Sequence, residues 1–483
     1  MADGGRPETR PAGAGAAPGL TRPAATRRAS PEVRLLTLLI VLLIAIPSRL
    51  IFSPLGSAGT PALVLGLVLL LSWLFARITG QVRRRSQPIR VVGLLFLAAV
   101  VASYIAATTR PIDAVEIRAA DRGLISMIGW IGILLFAMDG PRDRADLDVL
   151  LRRLALAGGL QGVVGLVQFV THLPLTNYIV IPGLTVNSDL GSVLGRDGLT
   201  RPAGTTIHPI EFGAVLTMIL PIALHYAIHD VHRSRLARWF PVVAIAAAVP
   251  ISISRSAILS AVVVLLFLLP TWARPLRRRA YVAIAGLTVL LYLAVPGLIG
   301  TLSSLFTGIS QDSSATSRTD SYHLAAEFIT RAPWFGRGFR TFLPTYRILD
   351  NQYLGMAIEM GLVGVLVFLL FLATAVSESI LVRRGSTDAS TRDLAQSFAA
   401  SLAAAGLSFA IYDAFSFPMA ASLLFLIVGC AGALRRIENS RIEASRVEAS
   451  RVEASRLRAG ADAAPAEAQA GDAGSYRSAG TPR

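Results

Sequence analysis

The chain has 483 residues, 53% of them hydrophobic and only 16% charged, with a mean hydropathy of +0.58. A soluble globular domain carries about a quarter charged residues, so a soluble enzyme is excluded as the main reading. All 46 basic side chains are Arg; against 30 acids the net charge is +16. In a chain this apolar, such an excess first marks cytoplasmic loops and only then an anionic ligand. The single cysteine, Cys430, sits in an apolar run. It cannot form an intrachain disulfide, and neither a disulfide scaffold nor a zinc protein is the main reading.

Residues 1–33 are rich in Pro, Ala and Arg and are expected to be a disordered cytoplasmic arm. Apolar runs then follow at 35–52, 61–77, 91–108, 123–138, 153–172, 209–228, 239–254, 256–271, 280–299, 352–376, 394–412 and 416–434. A span needs about 20 mostly apolar residues, so the expected fold is all-α and polytopic, with about 12 transmembrane helices. The first run follows the polar arm, lacks a small-residue cleavage site and reads as an anchor. The stretch 239–271 is interrupted by Ser252, Ser254, Arg255 and Ser256. Arg clusters at both of its ends belong on the cytoplasmic side, so the chain must cross out and return, leaving Arg255 at a tight outer turn.

Positive-inside bias orients the whole. With both termini cytoplasmic, the inner loops and flanks carry 25 Arg and the outer side 12. Seven of those 12 lie in two long outer loops, 173–208 and 300–351: Arg196, Arg201, Arg318, Arg331, Arg337, Arg340 and Arg347. They break the bias and call for another explanation. The transmembrane domain runs from 34 to 434. The remainder, 435–483, is expected to be a disordered cytoplasmic tail with SR(I/V)EA repeats, whose five-residue period builds no apolar stripe on a helix.

The first long loop ends R-P-A-G-T-T-I-H-P-I-E-F-G, with a turn at Gly204–Thr206 and Pro209 opening the sixth span. His208 and Glu211 lie at that helix start, and an acid one turn into a span faces a partner or a cavity. In the second loop, residues up to Arg331 place Tyr322, Ala325, Phe328 and Ile329 on one helical face, which reads as an amphipathic helix on the outer membrane boundary. The segment W-F-G-R-G-F follows, where glycines around Arg337 allow close backbone approach to a ligand. Asp350 and Asn351 then precede the tenth span, where either could simply cap the helix.

The Arg-bearing segments around Arg201, Arg255, Arg318 and Arg337 converge on one face. Guanidinium groups bind phosphate bidentately and stay charged beside lipid, which suits a diphosphate whose tail remains in the bilayer; contact with anionic headgroups is the plainer reading. The outer loops hold no Asp-rich or His-rich metal set, so no metal or other cofactor is expected there.

At these residues the sequence resembles the O-antigen ligase and polysaccharide polymerase family. The matching segments are R-P-A-G-T-T-I-H-P at 201–209, S-I-S-R-S at 252–256, S-R-T-D-S-Y at 317–322, A-P-W-F-G-R-G-F at 332–339 and D-N-Q-Y-L-G-M-A-I-E-M-G-L-V-G at 350–364. They occur in the family's order, and the resemblance covers roughly 120–430. It implies a metal-independent, GT-C-like membrane glycosyltransferase. Such an enzyme moves a glycan from an undecaprenyl or decaprenyl diphosphate carrier to the hydroxyl of an acceptor glycan or lipid, outside the cytoplasmic membrane. Its partners would be the lipid-linked glycan, the acceptor and the bilayer, and not nucleic acid. By position, Arg201 and Arg255 would hold the diphosphate with Arg318 a further candidate, and Asp350 would activate the acceptor. His208, Glu211, Arg337 and Asn351 complete the expected substrate site. The ligase branch usually has His where this chain has Asp350, which favours a polymerase over a ligase. The residue after His-Pro, often Asn in the family, is Ile210 here. The alternative is a 12-helix transporter or a flippase for the lipid-linked glycan, although no two-fold repeat is evident and the polar residues gather in loops and not at mid-membrane.

Overall fold

A computed structural model describes residues 29–80, 86–187, 193–196, 198–307 and 313–470. Most of the expected N-terminal arm therefore lies outside the described residues. The described chain is helical almost throughout: α1 (Pro31–Ile44), α2 (Pro61–Ile78), α3 (Pro88–Thr108), α4 (Ala114–Asp139), α5 (Arg144–Thr171), α6 (Pro209–His229), α7 (Arg235–Ile251), α8 (Arg255–Leu268), α9 (Arg274–Ala294), α10 (Leu298–Thr307), α11 (Ser313–Arg331), α12 (Gln352–Glu359), α13 (Gly361–Gly385), α14 (Ala389–Ser408) and α15 (Pro418–Ala470). Two antiparallel strand pairs interrupt it. Leu50–Ile51 (β1) pairs with Thr185–Val186 (β2), and Val193–Arg196 (β3) pairs with Leu199–Pro202 (β4).

Helix starts follow from local chemistry. Pro stands in the first turn of α1, α2, α3 and α6, where its missing N–H costs nothing. Asp143 and Asp388 cap α5 and α14 by accepting from Asp146 N at 3.0 Å and Thr391 N at 2.8 Å.

The apolar runs fall largely on helix, although the first leaves helix after Ile44 and continues into β1. Seven described helices are long and apolar enough to span, and α9 and α10, bent by 110° at the break between them, pass the same test only as a pair. α1, α7 and α8 are shorter, with 14, 17 and 14 residues. The protein is therefore an all-α, multi-pass membrane protein. The run at 352–376 is not one helix: it breaks at Met360–Gly361 into α12 and α13.

The centre is formed by α6 and α15, whose apolar stretches are 78% and 89% buried. Around them α4 packs against α2 and α15, α5 against α7, and α14 against α6, α8 and α13. Small residues permit the closest approach. A Cβ on Gly132 of α4 would lie 2.2 Å from the Gly66 carbonyl oxygen of α2, the kind of contact that replaces hydrophobic drive between helices in lipid. An aromatic cluster joins the far side: Phe96 of α3 lies 5.2 Å from Phe368 of α13, Phe368 stacks on Phe409 at 6.1 Å, and Trp130 of α4 stacks on Phe415 at 5.3 Å. It fixes the connection 409–417 between α14 and α15.

Two expectations change here. The tail after 434 is helical through Ala470: α15 continues through the repeat, where most of the described side chains are exposed. The apolar face of α11 does not lie free on a membrane boundary. Ala325 is fully buried, and Phe328 and Ile329 pack with it against Phe342, Leu349 and Ile358, whereas Tyr322 is 54% exposed.

Candidate functional site

The segment 201–209 is drawn into the protein by two amides of α5. Gln168 donates through Nε2 to the Gly204 carbonyl (3.1 Å) and accepts the Gly204 N–H on Oε1 (2.7 Å). Gln161 Oε1 accepts from the Thr205 hydroxyl at 2.8 Å, and that hydroxyl also reaches Ile44 O at 2.6 Å. Gln161 and Gln168 are seven residues apart and so share one face of α5. Thr206 N donates to Ala203 O, closing the turn read from the sequence. Gly204 holds φ +59° with Gln161 Nε2 only 2.7 Å from where a Cβ would be. This buried turn fixes β4 on one side and the start of α6 on the other.

From β4, Arg201 donates through Nε to the Ser252 carbonyl at 3.2 Å. Ser252 begins the turn between α7 and α8, in which Ile253 takes φ +45° and Ser254 and Ser256 share a hydroxyl contact of 2.8 Å. Arg255 is the first residue of α8, at the tight turn expected for it. Arg201 and Arg255 are both half-buried. Gly213 of α6 lets this turn close in, since a Cβ there would stand 2.5 Å from Ala257 and 3.0 Å from the Ser252 hydroxyl oxygen. The structure therefore brings Arg201, the 252–255 turn and the N-terminus of α6 together.

His208 is the N-cap of α6, its Nδ1 accepting from Ile210 N at 3.2 Å. Burial, helped by the nearby Arg201 charge, pushes its pKa down to about 4. A neutral imidazole that accepts on Nδ1 carries its proton on Nε2. His208 is thus an Nε2–H donor at neutral pH and not a general base.

Glu211 is fully buried, and both its oxygens are engaged by the backbone. Oε2 accepts from Ile207 N (2.9 Å); Oε1 accepts from Met419 N (2.9 Å) and Ala420 N (3.1 Å). A carboxylate of α6 thereby caps α15, where orphan N–H groups and the helix dipole favour negative charge. The partner expected of this intramembrane acid is a helix end.

Asn351, not Asp350, caps α12: its Oδ1 accepts from Leu354 N at 3.1 Å. Asp350 is the half-buried residue before the cap. Next to it, Gln352 N donates to Phe409 O (2.8 Å) and Gln352 Oε1 accepts from Phe415 N (2.7 Å). Phe417 in turn lies 6.1 Å from the His208 ring. The Asp350 end and the Arg201–His208 end thus flank the same connection, 409–417.

Arg337 is bound by protein groups. Glu116 in the first turn of α4 pairs with it through Oε1 and with Arg110 through Oε2 at 2.6 Å. Tyr346 OH donates to the same Oε1 at 2.7 Å, and the guanidinium lies 4.9 Å from the Phe328 ring centre and 5.3 Å from that of Tyr346. The flanking glycines serve the break in the tenth apolar run. Arg337 N donates to Ile358 O at 3.1 Å and Gly338 N to Glu359 O at 2.8 Å. Gly336 (φ +67°) and Gly361 (φ +65°) let the two backbones meet, a Cβ on either falling within 2.4 Å of the other strand's carbonyl. Arg318 lies on α11, and its side chain is outside the described residues.

Beside this loop opens a small cleft lined by Ser48, Arg122, Ser126, Arg340, Ser416, Trp130 and Phe415. Arg340 Nη1 donates to Ser416 Oγ at 2.8 Å, and Ser416 contacts Asp413. Glu116, Arg110, Gln161, Gln168, and the Ser416 and Asp413 that follow Arg340 in this chain of contacts, were not singled out from the sequence. Only the glutamines carried a readable signal: paired amides on one face of an apolar helix need buried polar partners.

Fold and site together define a multi-pass membrane protein whose arginine-bearing loops are folded onto the ends of its central helices. Residues 240–369 match the family model described as O-Antigen ligase, and over that segment the chain is similar to the O-antigen ligase family. The match takes in the motifs at 252–256, 317–322, 332–339 and 350–364, and points to glycan transfer of the ligase or polymerase type. No curated protein matches the chain.

Proposed function

We propose that this protein is a lipid-linked glycan polymerase. It would take a growing glycan from an undecaprenyl or decaprenyl diphosphate and join it to the hydroxyl of an acceptor glycan on the outer side of the cytoplasmic membrane. The observation that carries the reading is the Arg201 Nε contact with the Ser252 carbonyl, which holds two arginine-bearing segments beside the start of α6.

In this reaction the acceptor oxygen attacks the anomeric carbon. The bond from that carbon to the diphosphate oxygen breaks, and both its electrons leave with the carrier diphosphate. Arg201 and Arg255 stabilise the charge growing there, in a setting already organised before the reaction. The His208 Nε2–H adds a neutral donor. Asp350 orients the acceptor hydroxyl and takes its proton late. A free Asp has a pKa of about 3.9, so it is a weak base; a good leaving group makes that sufficient. Glu211, Asn351 and Arg337 act as positioning residues, since their side chains are engaged by the backbone of α12 and α15 or by Glu116. Arg318 is a further candidate for the diphosphate. The presence of Asp at 350 favours polymerase over ligase.

The test is the lipid-linked glycan pool of the host with and without this gene, measured by mass and chain length. Single repeat units stranded on the carrier mean polymerase, and long chains stranded there mean ligase. An unchanged pool sinks both and returns the transporter or flippase.

A further inference from the structure

At the other end of α6, about 25 Å from His208 by helix rise, stands a cluster that glycan transfer does not use. His225 and His229 lie one turn apart on α6, and Asp393 faces them from the first turns of α14. His225 Nδ1 is 2.7 Å and His229 Nε2 3.3 Å from the same Asp393 Oδ2. The two rings stack with centroids 4.9 Å apart at 27°. One ligand atom from each residue falls within 4.8 Å of the others.

We propose that His225, His229 and Asp393 form a three-ligand site for a divalent transition-metal ion of the zinc class. Two imidazole nitrogens and one carboxylate oxygen are a ligand set that zinc accepts, leaving a fourth position for water. Tetrahedral bonds of about 2.0–2.1 Å put ligand atoms about 3.3 Å apart. The His229–Asp393 distance already equals this, and the His225–Asp393 contact needs to open by about half an ångström. The convergence of both nitrogens on a single carboxylate oxygen is the second pointer. Two helices hold the donors, with His225 buried to 1% exposure and His229 28% exposed, so an ion has both a rigid base and a way in. Arg144 is turned to Asp148 at 2.9 Å and to Thr391 at 3.0 Å. Tyr226 also bonds Asp148, at 2.8 Å. A bound ion would tie the end of α6 to the start of α14 independently of the glycan-transfer reading.

The test is Zn²⁺ binding to the full chain, purified in detergent without a polyhistidine tag and followed by calorimetry and by metal analysis after dialysis. One saturable ion per chain is expected, together with a rise in melting temperature on adding Zn²⁺. His229→Gln and Asp393→Asn should each weaken binding by at least about 100-fold and abolish the rise. His232→Gln, on the exposed turn beyond α6, should change neither. His229→Gln alters a partly exposed residue, and its elution and melting without metal verify that it is folded. No saturable binding in the parent chain, or undiminished binding in either ligand variant, overturns the proposal and leaves a hydrogen-bonded latch between two helices.

Discussion

Glu116 and Arg337 are 221 residues apart in sequence and directly paired in space, with Arg110 and Tyr346 completing the carboxylate's partners. This pair fastens the W-F-G-R-G-F loop to the start of α4. Glu116 is 2% exposed, so removing its charge leaves two arginines without their counter-ion in a poorly solvated place. Glu116→Gln should cost about 3 kcal/mol, as for other broken buried pairs. The double variant Glu116→Gln/Arg337→Met should cost clearly less than the sum of the single changes. Melting curves in detergent measure both, and additive losses would show that the pair is not coupled.

Glu211 acts across helices. With Glu211→Ala the N–H groups of Ile207, Met419 and Ala420 lose their acceptor. Each buried unpaired group costs about 1–3 kcal/mol, so little folded protein is expected by size-exclusion chromatography. Glu211→Gln keeps an acceptor oxygen and should fall between that variant and the parent. A Glu211→Ala protein as stable as the parent would remove the capping role.

His208 gives a pH dependence with a definite sign. Its folded pKa, about 4, lies below the ordinary 6.5. Between these values the unfolded chain binds more protons, so the neutral residue's contribution is complete above pH 6.5 and is lost as pH falls towards 4. The loss is at most about 1.4 kcal/mol per pH unit. His208→Asn can still cap α6, and its stability should fall less steeply over that window. Parallel stability–pH curves for the two proteins would contradict the assignment.

Much of the helical frame was legible because apolar length is a local property. The apolar runs lie largely on helix, and a turn stands directly before Arg255. The break between α12 and α13 was not legible, since it depends on Pro333–Gly338 arriving from another part of the chain. For the same reason the part that the glycines around Arg337 play in that break was not legible. An acid in a helix's first turn, such as Glu116, has a sufficient local explanation in the dipole, which hides a distant partner. Asp350 and Asn351 were equivalent as caps by spacing; only the Asn351 contact with Leu354 separates them. For the tail, composition spoke for disorder, whereas α15 simply continues through the repeat.

That separation makes Asp350 testable. Because Asn351 supplies the cap, Asp350→Asn, which keeps the shape of the side chain and one acceptor oxygen, should leave the protein folded, with elution and melting in detergent as the check. Turnover should fall by about 100-fold or more, the scale of lost proton transfer, with carrier binding retained. Asn351→Ala should instead cost about 1 kcal/mol of stability, as loss of a cap does. Undiminished turnover in Asp350→Asn would remove it from the chemistry.

In the proposed function, Arg201 and Arg255 together hold the carrier diphosphate during glycan transfer. It is tested most directly by reconstituting the purified chain with a polyprenyl-diphosphate-linked repeat unit and following product length for the parent, Arg201→Ala and Arg255→Ala. Chain extension by the parent is expected, with a loss of about 100-fold or more in each variant, the scale of removing a donor from a developing negative charge. Extension by either variant at the parent's rate would contradict it.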